Sequence, residues 1–265
     1  MFNRKLYKKE GWEQSKGLAK KMLLPSLVTS IVTIIPYIIV YVPILKNSHN
    51  LAQLSVGFQI RDFLFGLLAA FFMNLFAFVW SRFVWNFRKT GDFSFEAFKK
   101  CFSTKMARGA LWHQLWSTLW FLPYTVLVTF FSKNFPQPTT VNGQIDPKAI
   151  LALIMIYAGL FYMFFAYFKV LGYSMMSFIL AENPEIPVIK AMNLSKKMCK
   201  GCRENIFAAY FSFSLWFIFC VVTLGFGRIL FQPYFKNTFI NMYEAIKKNA
   251  IETKAVSEED FYVLQ

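Results

Sequence analysis

Long apolar runs alternate with short, densely basic segments along this chain, and that alternation predicts its elements. Residues 22–45, 63–85, 110–131, 149–171, 205–224 and 228–245 are each predominantly apolar. Crossing ~30 Å of hydrocarbon takes about 20 such residues at 1.5 Å of rise each. The pattern predicts an all-α fold, a polytopic transmembrane helix bundle of six spans built as one domain over residues 1–248. The first run holds Pro25, Pro36 and Pro43, with a kink expected near Pro36, and the third holds Pro123. A short polar loop is expected over 46–62 and a longer irregular one over 132–148, where Pro136, Pro138 and Pro147 fall. The fourth run keeps its helical pattern to Ala181. That is roughly 50 Å of helix, so it either tilts strongly or projects its last turns, from Lys169 on, beyond the bilayer. Asn183-Pro184 ends it, because the residue before proline disfavours helix.

Two of the basic segments carry an apolar stripe of their own. Phe95, Phe98, Phe102 and Met106 recur at helical spacing, with Lys99, Lys100 and Lys105 off the stripe. After Pro187, Val188, Met192, Ser195 and Cys199 do the same, with Lys190, Lys196, Lys197 and then Lys200 mostly elsewhere. Both read as amphipathic helices lying in the membrane interface, and these seven lysines are the expected contacts to anionic lipid. The end of the chain, residues 249–265, is an acidic tail and is expected to be disordered.

Charge sets the orientation. Of 29 Lys and Arg residues, only Lys46, Arg61, Lys133, Lys148 and Arg228 fall on the outer side of this topology, so both termini are read as cytoplasmic. The composition agrees: 56% hydrophobic and 16% charged, against about 45–50% and about 25% in soluble domains. A net charge of +15 raises a nucleic-acid reading, but no nucleic-acid-binding pattern accompanies it. The expected partners are a bilayer containing anionic lipids, with other membrane proteins or a second copy of the chain, and not nucleic acid. The first 21 residues are basic without a small-residue cleavage site, and the run after them is too long for a signal peptide. It is read as a retained span. A weak repeat is also visible: Lys100 precedes Trp120 by 20 residues and Lys197 precedes Trp216 by 19, each Trp within Leu-Trp-Phe. Parallel duplication is a known transporter device, and chance similarity between Phe-rich runs stands beside it.

The candidate chemistry sits inside the spans. In the last run Arg228, Gln232, Lys236 and Asn237 recur down one side, continued by Asn241 and Glu244, opposite Phe231, Phe235, Phe239, Met242 and Ile246. If that helix spans, the polar side must face the bundle interior or a wet cavity. Asn74, His113, Gln114 and Lys169 are the other intramembrane polar residues expected to join it. Cys199 and Cys202 have CxxC spacing, but a zinc site needs four N or S ligands and a thioredoxin-type pair needs a βαβ context. No metal or cofactor is expected. Fourteen acids and two His, none paired for catalysis within the hydrocarbon, and no Walker, HExxH or GxSxG pattern argue against an enzyme. The expected function is that of a non-catalytic multi-pass plasma-membrane protein, an accessory partner of membrane machinery gripping the anionic inner leaflet. The alternative is a small transporter or channel for an anionic or amphipathic solute, lined by the cationic face of the last helix.

The closing third also carries a recognisable series. It runs Asn183-Pro184-Glu185, Ala191 to Ser195, Lys196-Lys197-Met198, Gly201, Ser212-Phe213, Trp216, Thr223 to Gly227 and Pro233-Tyr234. This resembles a bacterial integral-membrane family, domain of unknown function nine-seven-five, over roughly residues 160–245. Cys202 departs from that pattern, in which the position after the Gly is usually polar. The resemblance implies a polytopic protein of a bacterial plasma membrane and assigns it no activity.

Overall fold

The computed structural model describes residues 3–16, 18, 24–31, 56–134, 140–141, 144–145, 147–223 and 227–262. Among these the fold is all-helical apart from one minimal hairpin, Thr140–Val141 (β1) against Gln144–Ile145 (β2). The helices are α1 (Arg4–Ser15), α2 (residues 24–31), α3 (Val56–Thr90), α4 (Phe95–Lys100), α5 (Thr104–Asn134) and α6 (Pro147–Val170). They continue as α7 (Met176–Glu182), α8 (Val188–Met198), α9 (Arg203–Phe211), α10 (Ser214–Val222) and α11 (Arg228–Glu252). Among the described residues two helical segments, Leu64–Thr90 within α3 and Ile154–Glu182 across α6 and α7, are long and apolar enough to cross a membrane.

Several expectations are corrected. Helix α3 begins at Val56, inside the loop expected over 46–62; most of that loop, and the first run beyond residue 31 with Pro36, lie outside the described residues. The loop expected over 132–148 is not wholly irregular, since it contains the β1–β2 hairpin. The stripe from Phe95 to Met106 is not one helix. Gly91, at φ +70°, turns the chain after α3, and Ser94 caps α4 by accepting the Ala97 N–H at 3.1 Å. Helix α4 then stops at Lys100, and Met106 belongs to α5.

The long helix expected to run on to Ala181 breaks between α6 and α7 through a single 3-10 turn, Leu171–Tyr173. The Ser195 hydroxyl of α8 holds that break by donating to the Gly172 carbonyl at 2.9 Å and accepting the Met175 N–H at 3.2 Å. Asn183 then ends α7 in an extended conformation and Pro187 precedes α8. The fifth run is likewise two helices, α9 and α10. At their junction the Lys8 ammonium reaches the Ser212 carbonyl and hydroxyl, both at 3.3 Å, and sits 4.5 Å from the Phe213 ring centre. Lone carbonyls at a helix break need such donors.

Burial divides the bundle into two ends. One end is packed like a soluble core: Trp80, Phe83, Phe98, Met106, Met175, Ile179, Phe213, Phe239 and Tyr243 are fully enclosed. Around it Lys99 and Lys100 of α4 and Lys196 and Lys197 of α8 face solvent. At the other end large apolar side chains point outward. On α5 these are Leu111, Leu115, Leu119, Leu122, Val126 and Phe130, one continuous stripe at three- and four-residue steps. Helix α6 exposes Ile154, Tyr157, Phe161 and Phe164, and α10 exposes Leu215, Ile218 and Val222. Monomeric soluble proteins rarely show apolar patches of this extent.

The acidic tail is also corrected. Val256 and Phe261 are buried, the Asn183 amide donates to the Phe261 carbonyl at 3.0 Å, and the Lys247 ammonium lies 4.2 Å from the Phe261 ring centre. Residues 254–262 are therefore docked on α7 and α11 rather than free.

Candidate functional site

Helix α11 is the central strut. Gln232, Lys236, Asn237 and Asn241 are buried, and so are Phe231, Phe239, Met242 and Ile246 on its other face. It is enclosed around most of its circumference, so its polar side chains must find partners within the protein. Lys236 does so in one place, and the oxygens of Asn237 and Asn241 in another.

Lys236 points toward α3. Its ammonium donates to the Ala77 carbonyl and to the Ser81 hydroxyl, each at 2.9 Å, and lies 5.5 Å from the Phe178 ring centre. Ser81 in turn lies 3.0 Å from the Ser177 hydroxyl of α7, so one short chain ties α11, α3 and α7. Beside the ammonium is a cavity of about 230 Å³, lined by Asn74, Ala77, Phe78, His113, Tyr173, Ser174, Ser177, Phe178, Tyr210, Phe235, Lys236 and Phe239. Asn74 donates to the Ala70 carbonyl at 3.1 Å and to the Gln114 side chain, which passes the chain to Thr118 at 3.2 Å. His113 packs edge-on against Phe78, and its Nδ1 is buried without a hydrogen-bond partner.

Asn237, one residue on, faces the other way. Its carbonyl and side-chain oxygens accept from Arg88 at 3.3 and 3.1 Å. The same guanidinium reaches Gln14 and Asn241, and pairs with Glu244 at 3.5 Å. Arg88 therefore clamps α1, α3 and α11 together. A third polar cluster lies further along α11, where Glu182 accepts from Tyr243 and from Lys247, the latter at 2.8 Å. None of Arg88, Ser81, Ser177, Gln14 and Glu182 was singled out by the sequence pattern. Each meets a partner far away in the sequence, which local pattern does not register.

The remaining predicted residues scatter. Lys169 lies over the Phe165 and Trp120 rings, 4.9 and 5.8 Å from their centres, and is not part of the Lys236 cavity. Arg228 opens α11, and neither it nor the buried Gln232 lines that cavity. Lys99 pairs with Glu96 at 3.1 Å, Lys105 with Glu185 at 2.9 Å, and Lys190 donates to the Tyr262 carbonyl at 3.4 Å. Lys100, Lys196, Lys197 and Lys200 are exposed. At the CxxC pair, burial pushes the Cys199 thiol up to about 11 and raises Cys202 as well. Thiolate is the reactive and metal-binding form, so this environment disfavours both chemistries.

The family described as protein of unknown function (DUF975) matches residues 1–250, and the chain belongs to it. No curated protein and no solved structure matches the chain.

Proposed function

We propose that this chain is a non-catalytic, multi-pass protein of a bacterial plasma membrane that serves as an accessory partner of membrane machinery. Its apolar end sits in the hydrocarbon and its lysine-rich end on the anionic inner leaflet, with six spans and both termini inside. The observation that carries this reading is the inversion at the apolar end: Leu115, Leu119, Leu122 and Val126 face outward while Lys236 is held inside by Ala77 and Ser81. A bilayer rewards that arrangement, since lipid solvates leucine and penalises an exposed ammonium by several kcal/mol. Exposed Lys99, Lys100, Lys196, Lys197 and Lys200 add attraction to anionic headgroups, at about 1 kcal/mol each near the surface. A conducting path along the cationic face is less favoured, because the cavity beside Lys236 includes neither Arg228 nor Gln232.

The test is topological. Single cysteines at Lys148, Lys197 and Ala255, in a background lacking the four native ones, are probed with a membrane-impermeant maleimide. Position 148 should label in intact cells, and positions 197 and 255 only in inverted vesicles. Labelling of 197 or 255 in intact cells would sink the orientation. In parallel, phosphatidylglycerol should raise the melting temperature of the detergent-solubilised protein more than phosphatidylcholine does. That difference should vanish when the five exposed lysines become Gln.

A further inference from the structure

We propose that the cavity between α3, α5, α7, α9 and α11 is a binding site for the carboxylate or phosphate head of a single-chain amphiphile, held on the Lys236 ammonium. The inference rests on the reading of the chain as bilayer-embedded, and it adds a ligand to it.

Three features of the cavity converge. First, Lys236 has three N–H donors, and the described structure supplies two acceptors, the Ala77 carbonyl and the Ser81 hydroxyl. Both are neutral, and among the described residues no carboxylate pairs with the ammonium. A buried cation without a counter-ion is costly, so an incoming anion has a partner waiting. Second, the buried Nδ1 of His113, on α5 across the cavity, is unpartnered. One turn along the same helix, beyond the cavity lining, the Trp116 Nε1 and Ser117 Oγ atoms are also buried without partners. Within the cavity, the unsatisfied His113 nitrogen marks a place where something polar belongs. Third, most of the remaining wall is apolar: Phe78, Phe178, Phe235 and Phe239.

A mostly apolar wall with a few convergent polar groups is the usual make-up of a small-molecule site. The volume of about 230 Å³ is several times the ~30 Å³ share of one water, enough for an anionic head and the first carbons of its chain. Asn74, His113, Tyr210 and Phe235 of its lining keep partial exposure. A cationic ligand would meet the Lys236 charge, and a neutral alcohol would leave it unpaired.

Equilibrium dialysis of radiolabelled octanoate against the full-length protein in maltoside detergent tests this. Saturable binding of one octanoate per chain is expected, competed by octyl phosphate and not by octanol or octyltrimethylammonium. Competition by acetate or inorganic phosphate at similar concentrations would identify a free anion as the source of the same head-group chemistry. Absence of such competition would identify the amphiphile. Lys236→Met should weaken binding at least tenfold, and His113→Phe, which fills the cavity, should do the same. Leu119→Ala on the outer stripe should change nothing. Octanol binding as tightly as octanoate, wild-type affinity in either cavity variant, or no saturable binding at all would overturn the proposal, leaving a cavity that holds water only. Because His113→Phe retains every Lys236 contact, it reports even if Lys236→Met fails to fold. Failure here with correct cysteine topology would remove the ligand and leave the membrane reading standing.

Discussion

Phe83 and Leu68 sit on the same helix, about four turns apart, and have opposite surroundings. Phe83 is fully buried, its ring 4.7 Å from Phe93, 5.2 Å from Phe98 and 5.6 Å from Trp80, centre to centre. Leu68 is 47% exposed, and Leu64 one turn earlier is 58% exposed. The lysine-rich end thus buries its apolar groups against itself, as a protein in water must. The apolar end leaves them outside and turns Asn74, Gln114 and Lys236 inward. The proposed membrane setting accounts for this contrast as one chain meeting two solvents. In that setting the two ends are held differently: by hydrophobic burial at one, and at the other by packing plus hydrogen bonds whose alternative partner would be hydrocarbon.

The largest expected effect exploits that difference directly. Trp80 is 1% exposed, packs edge-on against Phe83 and tilted against Phe98, and donates its indole N–H to the Thr29 hydroxyl at 3.0 Å. Trp80→Ala should cost about 3–5 kcal/mol, the usual range for deleting a buried aromatic ring. Phe161→Ala removes a ring that is 77% exposed, and should move stability by no more than about 0.5 kcal/mol in detergent. Denaturant or thermal unfolding of the two purified variants checks both. Equal losses would mean that the outward side chains of α6 are covered by protein and that the two ends do not differ.

The second effect should appear in a bilayer. Leu119 lies near the middle of the outward stripe of α5 and is 55% exposed. Leu119→Arg should reduce membrane insertion by about 2.5–3.5 kcal/mol at the centre of a span, and the yield in the membrane fraction reads it out. The substitution of exposed Lys197 by Arg, at the other end, should leave the yield unchanged. Wild-type accumulation of the Leu119 variant would place that stripe in water.

These positions also show how much of the fold is legible in the sequence. Hydrophobic runs located the bodies of α3, α5 and α6, and two proline signals located the end of α7 and the start of α8. The helix breaks were illegible. The one at Leu171–Tyr173 depends on a hydroxyl from Ser195, over twenty residues away, and the one at Ser212-Phe213 depends on Lys8 from the other end of the chain. Local propensity carries no trace of such partners. The tail misled through its acidic composition, because two apolar anchors, Val256 and Phe261, were outweighed by the charges around them. The polar side of α11 was visible as periodicity. Its division between the Lys236 cavity and the Arg88 clamp was not, because residues 236 and 237 differ by ~100° around a helix and only their neighbours decide what each meets.

The smallest of these effects concerns how the first helix joins the lysine-rich end. Helix α1 is mostly polar, yet it crosses α11 with Gly11 against Thr238. A Cβ at Gly11 would come within 2.4 Å of the Thr238 hydroxyl oxygen and 2.7 Å of its backbone nitrogen, and the backbone of an enclosed helix has no room to yield. Around that crossing, Trp12 meets the Tyr234 ring at 5.3 Å, and Gln14 joins the Arg88 clamp. Gly11→Val should therefore cost about 1–3 kcal/mol by overpacking. The cost should take a particular form: α1 lifts from α11, Arg88 loses its Gln14 partner, and trypsin cleaves at Lys8 or Lys9 under conditions that leave the wild type intact. Gly11→Ser separates crowding from polarity, since it also adds a Cβ and should fail in the same way with a milder loss. Resistance of the Gly11→Val protein to trypsin, with an unchanged melting temperature, would mean that α1 does not need this close crossing, and the lysine-rich end would then have to be redrawn without its first helix.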